Sequence, residues 1–268
     1  MRHDNGSAVT IGSYDGIHIG HRHVIALVRN RAADAGLQSV VVTFDKNPAA
    51  VVNPESAPPR LTDTELKIEL LRGTGVDRIL VLAFDEERAK ETAEDFVTSV
   101  LVEELGARLV VVGDDFHFGN KRRGNVALLR EMGAGAGFSV EPVHLVSDDW
   151  AHEVVSSTRI RALVAEGRLE QAGALLGRPH EVRGRVVGDD GERGLHLEVP
   201  SEILLPPPGE YAGSALSDSG TGLVPARIVV SRRGSKRPQL LELRAETGTL
   251  AALPEPEGRD RVVRARFG

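Results

Sequence analysis

Ala8-Val9-Thr10-Ile11-Gly12-Ser13-Tyr14-Asp15-Gly16-Ile17-His18-Ile19-Gly20-His21 is the stretch on which the fold turns. An apolar run of strand type enters a glycine-rich loop carrying two histidines, and a helical pattern, His23–Val28, follows. Three chemistries fit histidines 18 and 21: a shared metal ion, plain packing, or phosphate binding. A zinc site needs at least one further ligand and usually an i, i+4 or longer spacing. Phosphate accounts for more of the local facts. Glycines 12, 16 and 20 let backbone approach an anion closely. A helix starting near His21 directs its N–H groups and positive dipole end into the loop. Imidazole donors there would stabilise charge as it builds on a phosphate.

Outward from this stretch, strand and helix alternate. The pattern predicts strands at Ala8–Ile11, Ser39–Phe44, Arg78–Leu82, Leu109–Val112 and Ser139–Val143. Between them it predicts helices at His21–Ala35, from a Thr62–Glu65 capping box to about Arg72, at Ala93–Leu105 behind Thr92, and at Val126–Met132. Ser156 or Ser157 caps a helix to Glu166, and Leu169–Leu176 makes another, stopped by Gly177. Such alternation predicts an α/β fold: an open parallel sheet, Rossmann-like, with ligands outside the carboxyl ends of its strands. Gly12–His21, Asp45–Pro48 and Gly113–Gly119 all fall at those ends. After Pro179 six short strands with no helix between them predict a small antiparallel β-barrel. The expected domains are 1–179 and 180–268.

Composition narrows the function classes. The 268-residue chain is 41% hydrophobic and 27% charged, with net charge -6 and no cysteine. Disulfides, thiolate metal sites and cysteine catalysis are excluded, and a cytoplasmic location is expected. The acidic balance argues against nucleic acid as a partner, and no apolar stretch has the length of a membrane span or a signal-peptide core. Lys121-Arg122-Arg123 reads as a solvated loop or a phosphate contact, and Trp150 as packing or a cover for a ring. A homo-oligomer is left open.

His18-Ile19-Gly20-His21 is the HxGH signature of the nucleotidylyltransferase superfamily, and the wider Gly12–His21 string resembles its form in bacterial bifunctional riboflavin kinase/FAD synthetases. Thr43-Phe44-Asp45-Lys46-Asn47-Pro48 resembles that family's TFDPHP stretch, and Gly113-Asp114-Asp115-Phe116-His117-Phe118-Gly119 its G-E-D/N-F-x-F-G loop. Ser156-Ser157-Thr158-Arg159-Ile160-Arg161 resembles its SSTxIR motif. The resemblance covers about residues 8–180. It implies transfer of AMP from ATP to FMN with release of pyrophosphate and with Mg²⁺ present, held mainly through nucleotide phosphates. It implies catalytic roles for His18, His21, Ser157, Thr158 and Arg159. It places Gly12, Tyr14, Asp15, Gly16, Gly20, Gly113, Asp115, Phe118 and Ser156 on the nucleotide side, and Asp45, Asn47 and Pro48 on the flavin side. Read without the resemblance, Ser156–Thr158 are helix caps and Asp45 and Asp115 turn residues. Tyr14 replaces the usual Phe, and Lys46-Asn47 replaces Pro-His, a departure on the acceptor side.

The barrel resembles the family's riboflavin kinase as a degenerate copy. Gly177-Arg178-Pro179-His180-Glu181-Val182-Arg183-Gly184 is similar to its GRPYxVxG junction, and Pro208-Gly209-Glu210-Tyr211 to its PxGVY turn. Where kinases carry GRxLGFPTAN, this chain reads Glu192-Arg193-Gly194-Leu195-His196-Leu197-Glu198-Val199-Pro200-Ser201, without the Thr-Ala-Asn that holds phosphate and Mg²⁺. Leu241–Thr249 is a loose echo of the catalytic stretch, with Glu242 either a remnant base or a solvent-facing strand residue, and the long helix that usually follows is not evident. The expectation is an FMN adenylyltransferase without riboflavin kinase activity. A paralogue using CTP or another phosphate acceptor is the alternative, and a non-catalytic flavin- or nucleotide-binding protein the third reading.

Overall fold

The computed structural model describes residues 5–144, 155–190, 194–231, 239–246, 250, 253 and 261–268. Trp150, Glu192, Arg193 and Thr247–Thr249 lie outside the described residues. The chain divides into two compact units, one of Met1–Pro58 with Lys67–Val155 and one of Pro59–Leu66 with Ser156–Gly268.

The first unit is an open five-stranded parallel sheet. Its strands are β1 (Ser7–Ile11), β2 (Gln38–Phe44), β3 (Arg78–Leu82), β4 (Ala107–Gly113) and, after a short β5 (His117–Phe118) and β6 (Gly124–Asn125), β7 (Ser139–Val143). They lie in the order β3-β2-β1-β4-β7, so the connections reverse direction between β1 and β4. Alternate strand residues serve opposite faces. Val9, Ile11, Val40, Val42, Val110 and Val112 share one core with Phe96, Val97, Leu101 and Leu129. Ala8 and Val111 pack on Val28 and Ala32, and Val41 on Ile25 and Leu71. Both faces being covered is what the continuous apolar runs required.

The helices are α1 (Ile19–Ala35), α2 (Pro48–Val52), α3 (Thr64–Arg72), α4 (Glu86–Lys90), α5 (Ala93–Phe96) and α6 (Val126–Ala136). Four differ from expectation, α6 by running past Met132 to Ala136. α1 begins at Ile19 rather than His21, because the His18 side chain caps it. At α3 the Asp63 carboxylate, not Thr62, receives the Leu66 N–H, at 2.7 Å, so the cap sits one residue later. The expected Ala93–Leu105 helix starts at Thr92's cap but continues from Val97 to Glu104 as a π-helix. α2 and α4 were not foreseen, being one turn and a half long. Asn47 caps α2 with Pro48 in its first turn, and Asp85 caps α4.

In the second unit α7 (Ser157–Ala165) and α8 (Leu169–Leu176) precede a closed six-stranded barrel. Its strands are β8 (Glu181–Asp189), β9 (Leu195–Val199), β10 (Gly209–Ser217), β11 (Val224–Ser231), β12 (Gln239–Ala245) and β13 (Val262–Phe267). All pairings around β10-β11-β12-β9-β8-β13 are antiparallel, as predicted. Leu195, Leu197, Ile228, Leu241, Leu243 and Phe267 fill the core. Glu181 is also buried, between Arg264 at 3.2 Å and Arg266 at 2.9 Å.

Candidate active site

The edge of the first sheet at the β1/β4 reversal is where an open α/β sheet takes a ligand. The loop leaving β1 is built tightly there. The Gly12 N–H continues the ladder to the Val42 carbonyl at 3.0 Å. Tyr14, 3% exposed, turns inward and shares a 2.7 Å hydrogen bond with the Thr10 hydroxyl. Burial pushes its phenol far above the ordinary value, which the Thr10 bond only partly offsets, so Tyr14 is a neutral structural group. The Thr43 hydroxyl donates to the Ser13 carbonyl at 3.2 Å. Thr10 and Thr43 are thus support residues that sequence reasoning missed. Their signal was a hydroxyl interrupting each of two apolar strands.

The loop is also strained. Tyr14 has φ 49° and Ile17 φ 41°, the latter costly for a β-branched residue, while Gly16 at φ 82° takes its left-handed turn without penalty. Glycines 12 and 20 serve differently: a Cβ would meet the Tyr14 ring at 3.1 Å on Gly12 and the His18 ring at 3.2 Å on Gly20. They make room for the two rings.

His18 is the N-cap of α1. It is 5% exposed, and its Nδ1 accepts the His21 backbone N–H at 3.3 Å. With Nδ1 an acceptor, a neutral ring carries its hydrogen on Nε2. The His18 and His21 rings stack with centroids 3.6 Å apart and 18° between planes, and Tyr14 meets His21 edge-on at 5.0 Å. The two histidines therefore form one fixed pair at a helix N-terminus. Among the described residues no group of three or more His, Cys, Asp or Glu side chains could hold a metal ion.

Beside this loop, β2 ends in Phe44. The Asp45 N–H reaches the Leu82 carbonyl at 3.0 Å, and its carboxylate accepts the Phe84 N–H at 2.8 Å. Asn47 accepts the Ala49 N–H at 3.1 Å, its capping bond, while Lys46 is exposed. Phe44 and Phe84 meet edge to face at 5.2 Å. On the other side β4 ends at Gly113. Asp115 is exposed, whereas Asp114 holds His144 at 2.6 Å. Phe118 is 9% exposed, belongs to the core and stacks on Phe116. Gly119, at φ 70°, lies so close to Ala93 that a Cβ would meet its backbone at 2.7 Å. Asn120 fixes the following turn to the Glu91 and Ala89 carbonyls at 2.8 and 2.9 Å. Lys121, Arg122 and Arg123 are exposed on that turn.

The structure thus brings Gly12–His21, Asp45–Pro48 and Gly113–Asp115 to one sheet edge. Ser156–Arg159 belong to the second unit, at the start of α7, where Ser156 Oγ accepts the Arg159 N–H at 3.2 Å. In the barrel, Glu242 takes two hydrogen bonds from Arg244, at 2.7 and 3.0 Å, and lies opposite His196 on β9. The Arg244 bonds hold its carboxyl below the usual carboxylate range.

A family model described as FAD synthetase matches residues 1–159. The chain belongs to the FAD synthetase family. Among its relatives is a bifunctional riboflavin kinase/FMN adenylyltransferase from Pseudomonas fluorescens, 41% identical over 182 residues, 68% of this chain and 58% of that protein. A protein of the same description from Escherichia coli (strain K12) is 35% identical over 196 residues, 73% of this chain and 62% of its own length. The matched part thus spans about three fifths of these relatives. A solved structure described as a macrolide-efflux protein from Streptococcus pneumoniae superposes with a TM-score of 0.77 at 24% identity, covering 99% of this chain and 85% of that one. That likeness concerns the fold alone. No helix among the described residues is long and apolar enough to cross a membrane.

Proposed function

We propose that this member of the FAD synthetase family is an FMN adenylyltransferase working on small-molecule substrates in the cytoplasm. The observation that carries the reading is the His18–His21 pair, fixed at the N-terminus of α1 beside the β1/β4 reversal. A phosphate oxygen of FMN attacks the α-phosphorus of ATP. The new P–O bond forms as the α–β bridging bond breaks, and pyrophosphate leaves with the electron pair. No covalent enzyme intermediate is needed, so catalysis is alignment plus stabilisation of charge. His18 offers Nε2–H to the triphosphate, and His21 acts beside it. Gly16 and Gly20 keep the backbone close, with Gly12, Tyr14 and Asp15 shaping the loop from behind.

The resemblance gives Ser157, Thr158 and Arg159 to the β and γ phosphates. A helix start and an arginine fork both suit phosphate oxygens. Magnesium neutralises phosphate charge when bound. An ion that keeps waters and substrate oxygens needs only one or two carboxylates, and the exposed Asp115 suits that demand. On the acceptor side Asp45, Asn47 and Pro48 form the rim, and Phe44 with Phe84 supplies an aromatic wall for a flavin ring. The barrel has no riboflavin kinase activity in this reading. Its Thr-Ala-Asn is missing, and Glu242 is occupied by Arg244.

A changed acceptor is the second reading. What favours it is the Lys46-Asn47 pair, an exposed cation and a capping side chain at the acceptor rim. One assay separates the two. Protein, Mg²⁺ and FMN are incubated with each nucleoside triphosphate in turn while pyrophosphate and dinucleotide are followed. FAD from ATP is expected. Pyrophosphate only with CTP, or only once another phosphate is supplied, would replace the first reading by the second. Conversion of riboflavin to FMN would refute the loss of the kinase.

A further inference from the structure

Lys67 is a buried cation with no part in the chemistry above. It lies on α3, 3% exposed, one turn before the fully buried Leu71, on a stripe where an apolar residue is the ordinary choice. Leu71 packs in the same cluster as Tyr14 and Ile17 of the histidine loop. The Lys67 ammonium donates to the Phe44 carbonyl, the last of β2. Taking an ammonium out of water costs stability that an apolar side chain of similar volume would not, even where the ammonium is paired. Something other than packing is served by keeping it there.

The position says what. Phe44 pairs with Leu82 at the exits of β2 and β3, and the next residue, Asp45, holds both the Leu82 carbonyl and the Phe84 N–H. Two residues on, Asn47 starts α2. Lys67 therefore grips the root of the Asp45–Pro48 rim from beneath.

We propose that Lys67 is a positioning residue for the phosphate acceptor: its buried ammonium fixes the exit of β2, and with it the Asp45–Pro48 rim. The proposal rests on the acceptor reading above. It predicts an effect on one substrate only, because the nucleotide side is held by other bonds, those of Thr10, Thr43 and His18.

The test uses the full chain with Lys67→Met and Lys67→Arg. Steady-state rates are measured with FMN and ATP varied separately, alongside thermal denaturation and hydrogen exchange at the Asp45 and Phe84 amides. Lys67→Met should raise the KM for FMN about tenfold, with the KM for ATP staying within about twofold. The two amides should lose protection. Lys67→Arg, which keeps a donor, should recover most of both effects even if Lys67→Met folds poorly. Equal changes in both KM values, or a lower melting temperature with KM for FMN and amide protection unchanged, would overturn the proposal. If the wild type forms no FAD, the acceptor reading fails. The exchange arm then still decides whether Lys67 holds the rim, unchanged protection refuting it and lost protection supporting it.

Discussion

Under the proposed function His18 has two tasks, and they can be separated by substitution. As N-cap of α1 its Nδ1 accepts the His21 N–H, and as a phosphate donor it presents Nε2–H. Asparagine keeps the first and loses the second, since its amide oxygen is among the best caps but its side chain stops short of Nε2. Alanine loses both. Removing a cap costs about 1 kcal/mol, and for a chain of this size that is a fall of roughly 2–4 °C in Tm. Removing a donor aimed at developing charge costs about 10²–10³ in kcat. His18→Asn should therefore melt near the wild type and turn over about 100-fold or more slowly. His18→Ala should show that loss together with a lower Tm. Thermal denaturation and initial rates of pyrophosphate release measure the two tasks independently. The reasoning is refuted if His18→Asn turns over at the wild-type rate, or if both variants lose activity only in proportion to lost stability.

Three further outcomes follow from the geometry. Gly119→Ala combines a φ of 70° with a Cβ 2.7 Å from the Ala93 backbone, so it should cost about 1–3 kcal/mol in chemical denaturation; an unchanged midpoint would mean the turn after β5 is not packed as described. Glu181→Ala leaves the 4%-exposed Arg264 without its carboxylate and should destabilise the barrel by about 3 kcal/mol or more, seen as an early unfolding transition. The Arg31–Glu141 fork, at 2.8 and 2.9 Å, joins α1 to β7 and holds the Glu141 carboxyl below its ordinary range. Its contribution is present above that ordinary range and is lost as pH falls through the lowered value; Arg31→Met should flatten that part of the acid limb of a Tm–pH profile, by a small amount because both groups are well exposed.

The sheet and barrel were legible because their strands carry long apolar or alternating runs, and burial decides such segments whatever the loops do. The π-turned stretch Val97–Glu104 was not, since an apolar helical period looks the same with i+4 or i+5 bonding. α2 could have been found: Asn47-Pro48 is a cap and first-turn signature, yet five residues give too little periodicity to support it. At the site, the histidines, Asp45 and Asp115 stood out by residue type. The positive φ of Tyr14 and Ile17, and the glycines that clear space for rings, depend on three-dimensional packing that no local pattern encodes. Lys67 was hidden for the opposite reason. A lysine in a helix reads as a solvent-facing residue, and only burial and the Phe44 carbonyl reveal it.

The central claim is that this chain joins the α-phosphate of ATP to FMN. The most direct measurement follows label from ATP carrying ³²P at the α position, with FMN and Mg²⁺ and the purified chain. The account predicts label in FAD in amounts equal to the pyrophosphate released, and both formed about 100-fold or more slowly with His18→Asn. Pyrophosphate without labelled FAD, or label left in ATP at saturating FMN, would contradict it.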